Sequence, residues 1–279
     1  MVISGRELAK PIIAKIKEDV EKLANKKVFP KIAIITLGSE ESWATYVGQK
    51  LKLADTLGIK TELINLSVDE PEKLLLKTIR RLNNDSTIHG IIVQRPMPKN
   101  INSKNVISGI LKEKDIDGFR YDSLYKVPVW LAVIDIITHA LQVTTRTKLQ
   151  VSLLNQSILI LGKGETAGMP VIRELLSLGL DPIVVDSKTK NKNDLLKKAD
   201  IIVTAVGKKL VKKEVLKPGV ILIGIGIYRN DKGKLVGDYD EDEIQNVASY
   251  YTPTPGGVGP LNLAYLFSNL IEAAKKQAS

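Results

Sequence analysis

The chain has 279 residues, a length that suits one large or two ordinary domains and is ample for a full apolar core. Apolar residues make up 44% and charged residues 26%, the balance of a soluble globular protein, and zero cysteines exclude disulfides, thiolate catalysis and cysteine–zinc sites. The formal charge of +10 sits on scattered lysines not interleaved with aromatics, so it reads as a solvated surface suited to anionic small molecules before nucleic acid. No apolar run reaches the length of a membrane span and the N-terminus lacks a signal-peptide pattern, so the expectation is a cytoplasmic protein with no membrane partner.

In chain order, an amphipathic, highly charged helix is predicted from about Arg6 to Asn25. Lys31–Leu37, Lys60–Leu66 and Ile88–Gln94 read as buried parallel strands, separated by helical stretches near Glu41–Leu57 and Glu70–Asn84. A long helical pattern, about Val129 to Val143, leads to a second series of strands: Ser157–Leu161, Pro182–Val185, Ile201–Thr204 and Val220–Ile223. The last helix runs from Leu261 to Gln277. This alternation predicts an α/β fold with parallel sheets, in two lobes with a cleft between them. No internal repeat or low-complexity segment interrupts it.

Several stretches carry chemistry. Ile158-Leu-Ile-Leu-Gly-Lys-Gly-Glu-Thr-Ala-Gly168 is a strand, a glycine loop and a helix start, with Gly162, Gly164 and Gly168 spaced GxGxxxG. Such glycines let backbone approach a pyrophosphate at a helix N-terminus, where free N–H groups and the helix dipole favour anions. The next strand ends at Val185, followed by Asp186, Ser187, Lys188 and Thr189, where dinucleotide folds read the adenosine ribose. Lys163, Ser187, Lys188 and Thr189 suit a 2′-phosphate. Asp186 suits a free ribose diol, unless its side chain points away. NADP is the expected cofactor, with NAD the alternative. In the first series, Tyr46 and Lys50 are four apart on one helical face, Gln94 ends a strand, and Lys114-Asp-Ile-Asp-Gly118 places two acids before a turn glycine. Finally, Tyr251-Thr-Pro-Thr-Pro-Gly-Gly-Val-Gly-Pro260 makes a stiff, sharply bent loop with accessible backbone, and Pro260 suits a first helical turn. His89 and His139 stand in no catalytic arrangement and read as structural. No metal site is expected.

Taken together, Tyr46-Val-Gly-Gln-Lys50, Gly90-Ile-Ile-Val-Gln94 with Pro96 and Pro98, Lys114-Asp-Ile-Asp117-Gly118-Phe119, Ala205-Val-Gly-Lys208, Gly233-Lys-Leu-Val-Gly-Asp238 and Thr252-Pro-Thr-Pro-Gly-Gly-Val-Gly-Pro260 resemble the methylenetetrahydrofolate dehydrogenase/methenyltetrahydrofolate cyclohydrolase family. The motifs occur in the family order and cover nearly the whole chain. The resemblance implies a folate-site domain over residues 1–138, completed by the C-terminal helix at 262–279, with a Rossmann-like NAD(P)-binding domain inserted at 139–261. It implies a homodimer formed through the cofactor domains. It makes Lys50 the catalytic lysine, Tyr46 the substrate-stacking tyrosine, Gln94 the support of the lysine and Asp117 the holder of the pterin, with Gly257 and Pro260 near the folate. It places Ala205, Val206, Gly207, Ile225 and Asn262, together with the glycine loop, at the cofactor. The chain departs from the family pattern at Trp43, at Pro128-Val-Trp130-Leu, at Gly164, Asp186, Gly224 and Asn262, mostly around the cofactor. Two other readings follow: a dehydrogenase with weak or no cyclohydrolase activity, or a non-catalytic folate or nucleotide binder.

Overall fold

The computed structural model describes residues 1–67 and 72–278, without the side chains of residues 40–43, 46 and 146. Two compact units make up the chain. The first comprises Lys10–Pro128 and Leu263–Ser279, the second Met1–Ala9 and Val129–Asn262.

In the first unit, α1 (Gly5–Asn25) leads to β1 (Lys31–Leu37), α2 (Glu40–Thr56), β2 (Lys60–Leu66), α3 (Glu72–Asn84), β3 (Gly90–Val93) and α4 (Ser103–Gly109). The strands form a parallel sheet in the order β2-β1-β3, with Ile32 opposite Thr61 on one side and Gly90 on the other. Side chains alternate across a strand, so β1 divides its apolar run between two cores. Ile32, Ile34 and Ile92 pack with Ile16 and Leu23 of α1 and with Val47 and Ala54 of α2. Ala33, Ile35, Ile91 and Val93 pack with Leu75, Ile79 and Leu82 of α3. Covering both faces is why β1 and β3 read as continuous apolar runs rather than alternating ones. β3 is shorter than the expected Ile88–Gln94 because the Ile88 N–H closes a turn on Asp85 O at 3.1 Å instead of joining the ladder.

The chain then continues as α5 (Pro128–Ala140), α6 (Arg146–Leu154), β4 (Ile158–Leu161), α7 (Gly168–Ser177), β5 (Ile183–Val185), α8 (Lys192–Leu196), β6 (Ile201–Thr204), β7 (Ile221–Gly224), β8 (Ile227–Arg229), β9 (Leu235–Gly237), α9 (Glu241–Ile244), β10 (Tyr250–Tyr251) and α10 (Val258–Gln277). α5 ends sooner than its apolar pattern because Gln142 adopts a left-handed φ of 53°, which lets the Val143 N–H turn back to Thr138 O at 3.1 Å. The second unit holds a five-stranded parallel sheet in the order β10-β7-β6-β4-β5, and β8 and β9 pair as an antiparallel hairpin. Numbered within the sheet, the order is 2-1-3-4-5, a doubly wound arrangement. Val2 bridges Tyr251 in parallel, and the Ile3 N–H donates to Tyr251 O at 2.8 Å. This pairing places residues 1–9 with the second unit, which resumes at Val129 and not at the 139 that the motifs imply.

α10 begins in the second unit and ends in the first, where Phe267, Leu270 and Ile271 enter the core beside Ile32 and Ile34. Polar ties fix its position there. Asn269 Nδ2 donates to Ile116 O and Lys126 O, both at 2.9 Å, and Lys275 pairs with Asp19 at 2.7 Å. Burying a side chain the size of Phe267 stabilises by roughly 2–3 kcal/mol, so the C-terminal segment is structural to a unit more than 130 residues upstream of it.

Candidate active site

One cluster lies in the first unit, at the carboxyl end of β3. Gln94 continues that strand, its N–H donating to Ile35 O at 2.8 Å. Lys50 projects from α2, and its Nζ donates to Gln94 Oε1 at 2.6 Å. Gln94 Nε2 donates to Arg95 O at 2.8 Å, which orients the amide so that its acceptor, not its donor, faces the lysine. Burial holds the Lys50 amine below the usual lysine range, and the nearby Asp117 charge opposes that shift. Burial likewise raises the Asp117 carboxyl above the usual carboxylate range, against the pull of Lys50 and Arg95. The Arg95 guanidinium stacks over the Phe119 ring, 3.6 Å from its centroid.

The two acids of the Lys114–Gly118 stretch have different surroundings. Asp115 is only 1% exposed and accepts the Arg120 N–H at 2.9 Å, and burial pushes its carboxyl up to about 6. It holds the turn. Asp117 shares its electrostatic environment with Lys50 and Arg95. Lys114 is buried and ties the stretch down: its Nζ donates to the carbonyls of Leu82, Asn83 and Asp85 at 2.9, 2.8 and 2.7 Å. These are the carbonyls at the end of α3, where a cation is favoured. Burial lowers the Lys114 amine while the Asp85 charge opposes it. Sequence inspection passes over this role because a lysine at a motif's edge reads as surface charge. His89 is structural: it is buried, and its Nδ1 accepts the Lys31 N–H at 3.2 Å. His139 is exposed on the last turn of α5. The side chains of Tyr46 and Trp43 lie outside the described residues, and Trp130 is buried in α5.

A second cluster lies at the carboxyl ends of β4, β5 and β6. The chain leaves β4 for β5 on one side and returns to β6 on the other, so β4 and β6 flank the switch point of the sheet. Gly162 has φ +97°, and a Cβ on it would lie 2.6 Å from Ala205 O. A Cβ on Gly168 would run into Gly162 O, so the loop after β4 is pressed against both the loop after β6 and the start of α7. Gly164 faces open space. In the first turn of α7 the Met169 N–H donates to Gly164 O at 3.0 Å and Pro170 carries no N–H, so the Gly168 N–H is the donor at that helix start that faces an anion. Thr204 Oγ1, at the end of β6, is buried without a hydrogen-bond partner among the described residues, the mark of a site completed by water or ligand. The Ile225 N–H donates to Thr204 O at 2.8 Å. A dinucleotide fits this backbone cradle.

Asp186 does not point away from the cradle. Its carboxylate meets Lys163 Nζ at 2.8 Å and accepts the Lys188 N–H at 2.9 Å, and Lys163 holds it down to about 2. The reason is sheet pairing: Leu161 lies opposite Val185, so the residues just beyond the two strands abut. The Asp186 N–H donates to Thr189 Oγ1 at 3.1 Å, while Ser187 and Lys188 are exposed. The proline–glycine loop closes on itself through the Gly257 N–H and Pro253 O at 2.8 Å. Pro260 and Asn262 lie in the first turns of α10, and among the described residues no hydrogen bond joins them to the loops after β4 and β6.

Comparison with known proteins identifies the family of both units. Residues 3–117 match the catalytic domain of tetrahydrofolate dehydrogenase/cyclohydrolase, and residues 138–278 match its NAD(P)-binding domain. The chain is 36% identical to the bifunctional protein FolD of Listeria innocua over 99% of its own length and 97% of that protein. It is 35% identical to the FolD of Enterococcus faecalis over 99% of both. Among solved structures, the FolD methylenetetrahydrofolate dehydrogenase/cyclohydrolase of Campylobacter jejuni superposes with a TM-score of 0.89 at 31% identity, covering 99% of each chain. The Trypanosoma brucei enzyme, complexed with NADP cofactor and inhibitor, superposes with a TM-score of 0.87 at 29% identity over 99% of this chain and 97% of that one. With a relative 36% identical along almost its whole length and both family domains matched, the chain belongs to the tetrahydrofolate dehydrogenase/cyclohydrolase family.

Proposed function

We propose that this protein oxidises methylenetetrahydrofolate to methenyltetrahydrofolate with NADP and hydrolyses the product to 10-formyltetrahydrofolate. The observation that carries this reading is the Lys50–Gln94 contact of 2.6 Å beside Asp117, in the domain matched to the family's catalytic half. Gly162, Lys163, Gly164 and Gly168 with Ala205, Val206, Gly207 and Ile225 would hold the dinucleotide, and Ser187, Lys188 and Thr189 its ribose end. Bound NADP supplies the hydride acceptor. The oxidation asks for no protein base, because the nitrogen lone pair of the N–CH2–N unit expels the hydride, so the residues act by orienting the two rings. Asp117 presents a carboxylate edge to the amino-pyrimidine N–H groups, a paired and charge-assisted arrangement. Hydrolysis requires a water delivered to the methenyl carbon and its proton carried away. A buried lysine that gives up its proton readily performs that transfer, and Gln94 Oε1 keeps its nitrogen in place. Tyr46, Gly257 and Pro260 complete the folate site in this reading.

The protein acts as a cytoplasmic homodimer joined through its second unit. Exposed apolar side chains on that unit, Val151, Leu154, Leu176 and Val184, support the dimer. Two absorbance assays test the function: NADP reduction with methylenetetrahydrofolate, and decay of the methenyl chromophore without cofactor. Folate binding without either activity would overturn it. Sedimentation equilibrium tests the dimer, and a monomer at micromolar concentration would reject it.

A further inference from the structure

Asp238 follows β9 and is completely buried. Its Oδ2 accepts the Val206 N–H at 2.9 Å, and its Oδ1 accepts the Gly207 and Lys208 N–H groups at 2.7 and 2.9 Å. Its backbone carbonyl accepts from Leu210 and Val211 at 2.9 and 3.1 Å. One residue therefore fixes the whole run from Val206 to Val211. Three successive N–H groups converging on one point form a nest for an anion. Here the anion is internal, so these donors are already taken and a cofactor phosphate has no claim on them. Gly226 makes room for this: a Cβ there would run into the Asp238 carboxylate.

Asp238 is itself anchored from its C-terminal side. The buried Tyr239 hydroxyl donates to Thr252 O at 2.6 Å, Thr252 Oγ1 accepts the Gly224 N–H at 2.9 Å, and Glu241 Oε1 accepts the Thr254 N–H at 2.7 Å. The carboxylate is thus held by the end of β7 and the proline–glycine loop, and it in turn sets the loop after β6. That loop faces Gly162 through Ala205 O, so its position sets the width of the dinucleotide cradle.

We propose that Asp238 is a positioning residue of the dinucleotide site, an internal counter-anion that shapes the Ala205–Lys208 loop and directs the cofactor's phosphates to the Gly162 loop and the start of α7. The proposal rests on the dehydrogenase reading above. Its test measures NADP binding by calorimetry and the KM for NADP with kcat, on the wild-type chain, Asp238→Asn and Asp238→Ala, with thermal melts alongside. Asp238→Asn keeps the acceptor for Gly207 and Lys208 but turns a donor on Val206, so NADP should bind about fivefold more weakly. Asp238→Ala removes all three bonds and should weaken NADP by about thirtyfold, with KM rising more than kcat falls. A purely structural role lowers the melting temperature and kcat but leaves the NADP dissociation constant alone. Affinity within about twofold of wild type for Asp238→Asn would overturn the proposal, and that variant decides alone if Asp238→Ala fails to fold. A wild-type chain that binds no NADP would reject the dehydrogenase reading itself, a different result from unmoved variants of a wild type that binds it.

Discussion

Lys50 and Gln94, 44 positions apart, meet at 2.6 Å because α2 packs on the sheet that ends in β3. The contact is directional. Gln94 turns its amide nitrogen to Arg95 O, which points its oxygen at Lys50. A base held this way needs no histidine, and the chain has none at this site.

Replacing Lys50 by Gln keeps the side chain's polarity and removes the amine. Cyclohydrolase turnover should fall by more than about a hundredfold, the usual weight of a positioned acid–base group, with dehydrogenase activity within about tenfold. In the wild type, cyclohydrolase activity should rise with pH as Lys50 loses its proton, and level off below the ordinary lysine range because burial lowers that amine. Methenyl decay measured across pH checks both. A variant within about threefold of wild type would remove Lys50 from the mechanism.

Asp117→Asn replaces one acceptor by a donor on the edge assigned to the pterin. Folate affinity should drop about tenfold or more, lowering both activities together, while NADP affinity stays near its wild-type value. Calorimetry with each ligand separates the two. Unaltered folate affinity would make Asp117 a turn residue only.

The Lys163–Asp186 ion pair bears on cofactor choice. Asp186 occupies the lysine that a 2′-phosphate would need, so NADP must compete with a carboxylate for it. Asp186→Ala should free Lys163 and raise NADP affinity, and Lys163→Ala should weaken NADP more than NAD. Both are exposed enough for salt to screen them, so the differences should shrink at high ionic strength. A wild-type kcat/KM higher with NAD than with NADP would assign Asp186 to the ribose diol instead.

Asp115 gives a stability prediction with a definite sign. Burial raises its carboxyl to about 6 in the folded chain, against an ordinary carboxylate value near 4 once unfolded. The folded state therefore holds a proton that the unfolded state releases. Its stabilising contribution is complete below about pH 4 and is lost as pH rises through about 6. Asp115→Asn removes that slope and keeps an acceptor for the Arg120 N–H. Denaturant melts of both proteins from pH 4 to 7 should diverge by an amount on the order of 2 kcal/mol, with wild type falling behind as pH rises. Parallel curves would show that Asp115 is ionised throughout.

The sequence determined most of the element order, because apolar runs covered on both faces and amphipathic helices follow from local periodicity alone. Lys31–Leu37, Lys60–Leu66 and Ile201–Thr204 have the bounds their patterns predict, but Lys60–Leu66 is a half-exposed edge strand and not the buried strand expected, because no strand covers its far side. The short pieces, α4, α6, α8, α9 and the β8–β9 hairpin, were not legible, since three to nine residues carry too little periodicity. The glycine loop and the family motifs named the candidate residues, but not what each one touches. Lys114 reads like any surface lysine until tertiary packing sets it against the end of α3. Asp186 is an open choice between two orientations until strand pairing places Lys163 beside it. Asp238 is one acid in a motif until β9 carries it under three N–H groups 30 to 32 residues away. Local pattern fixes which faces are apolar and where glycine is needed. Which charge meets which donor depends on the sheet order, and that order is set by contacts between residues far apart in the chain.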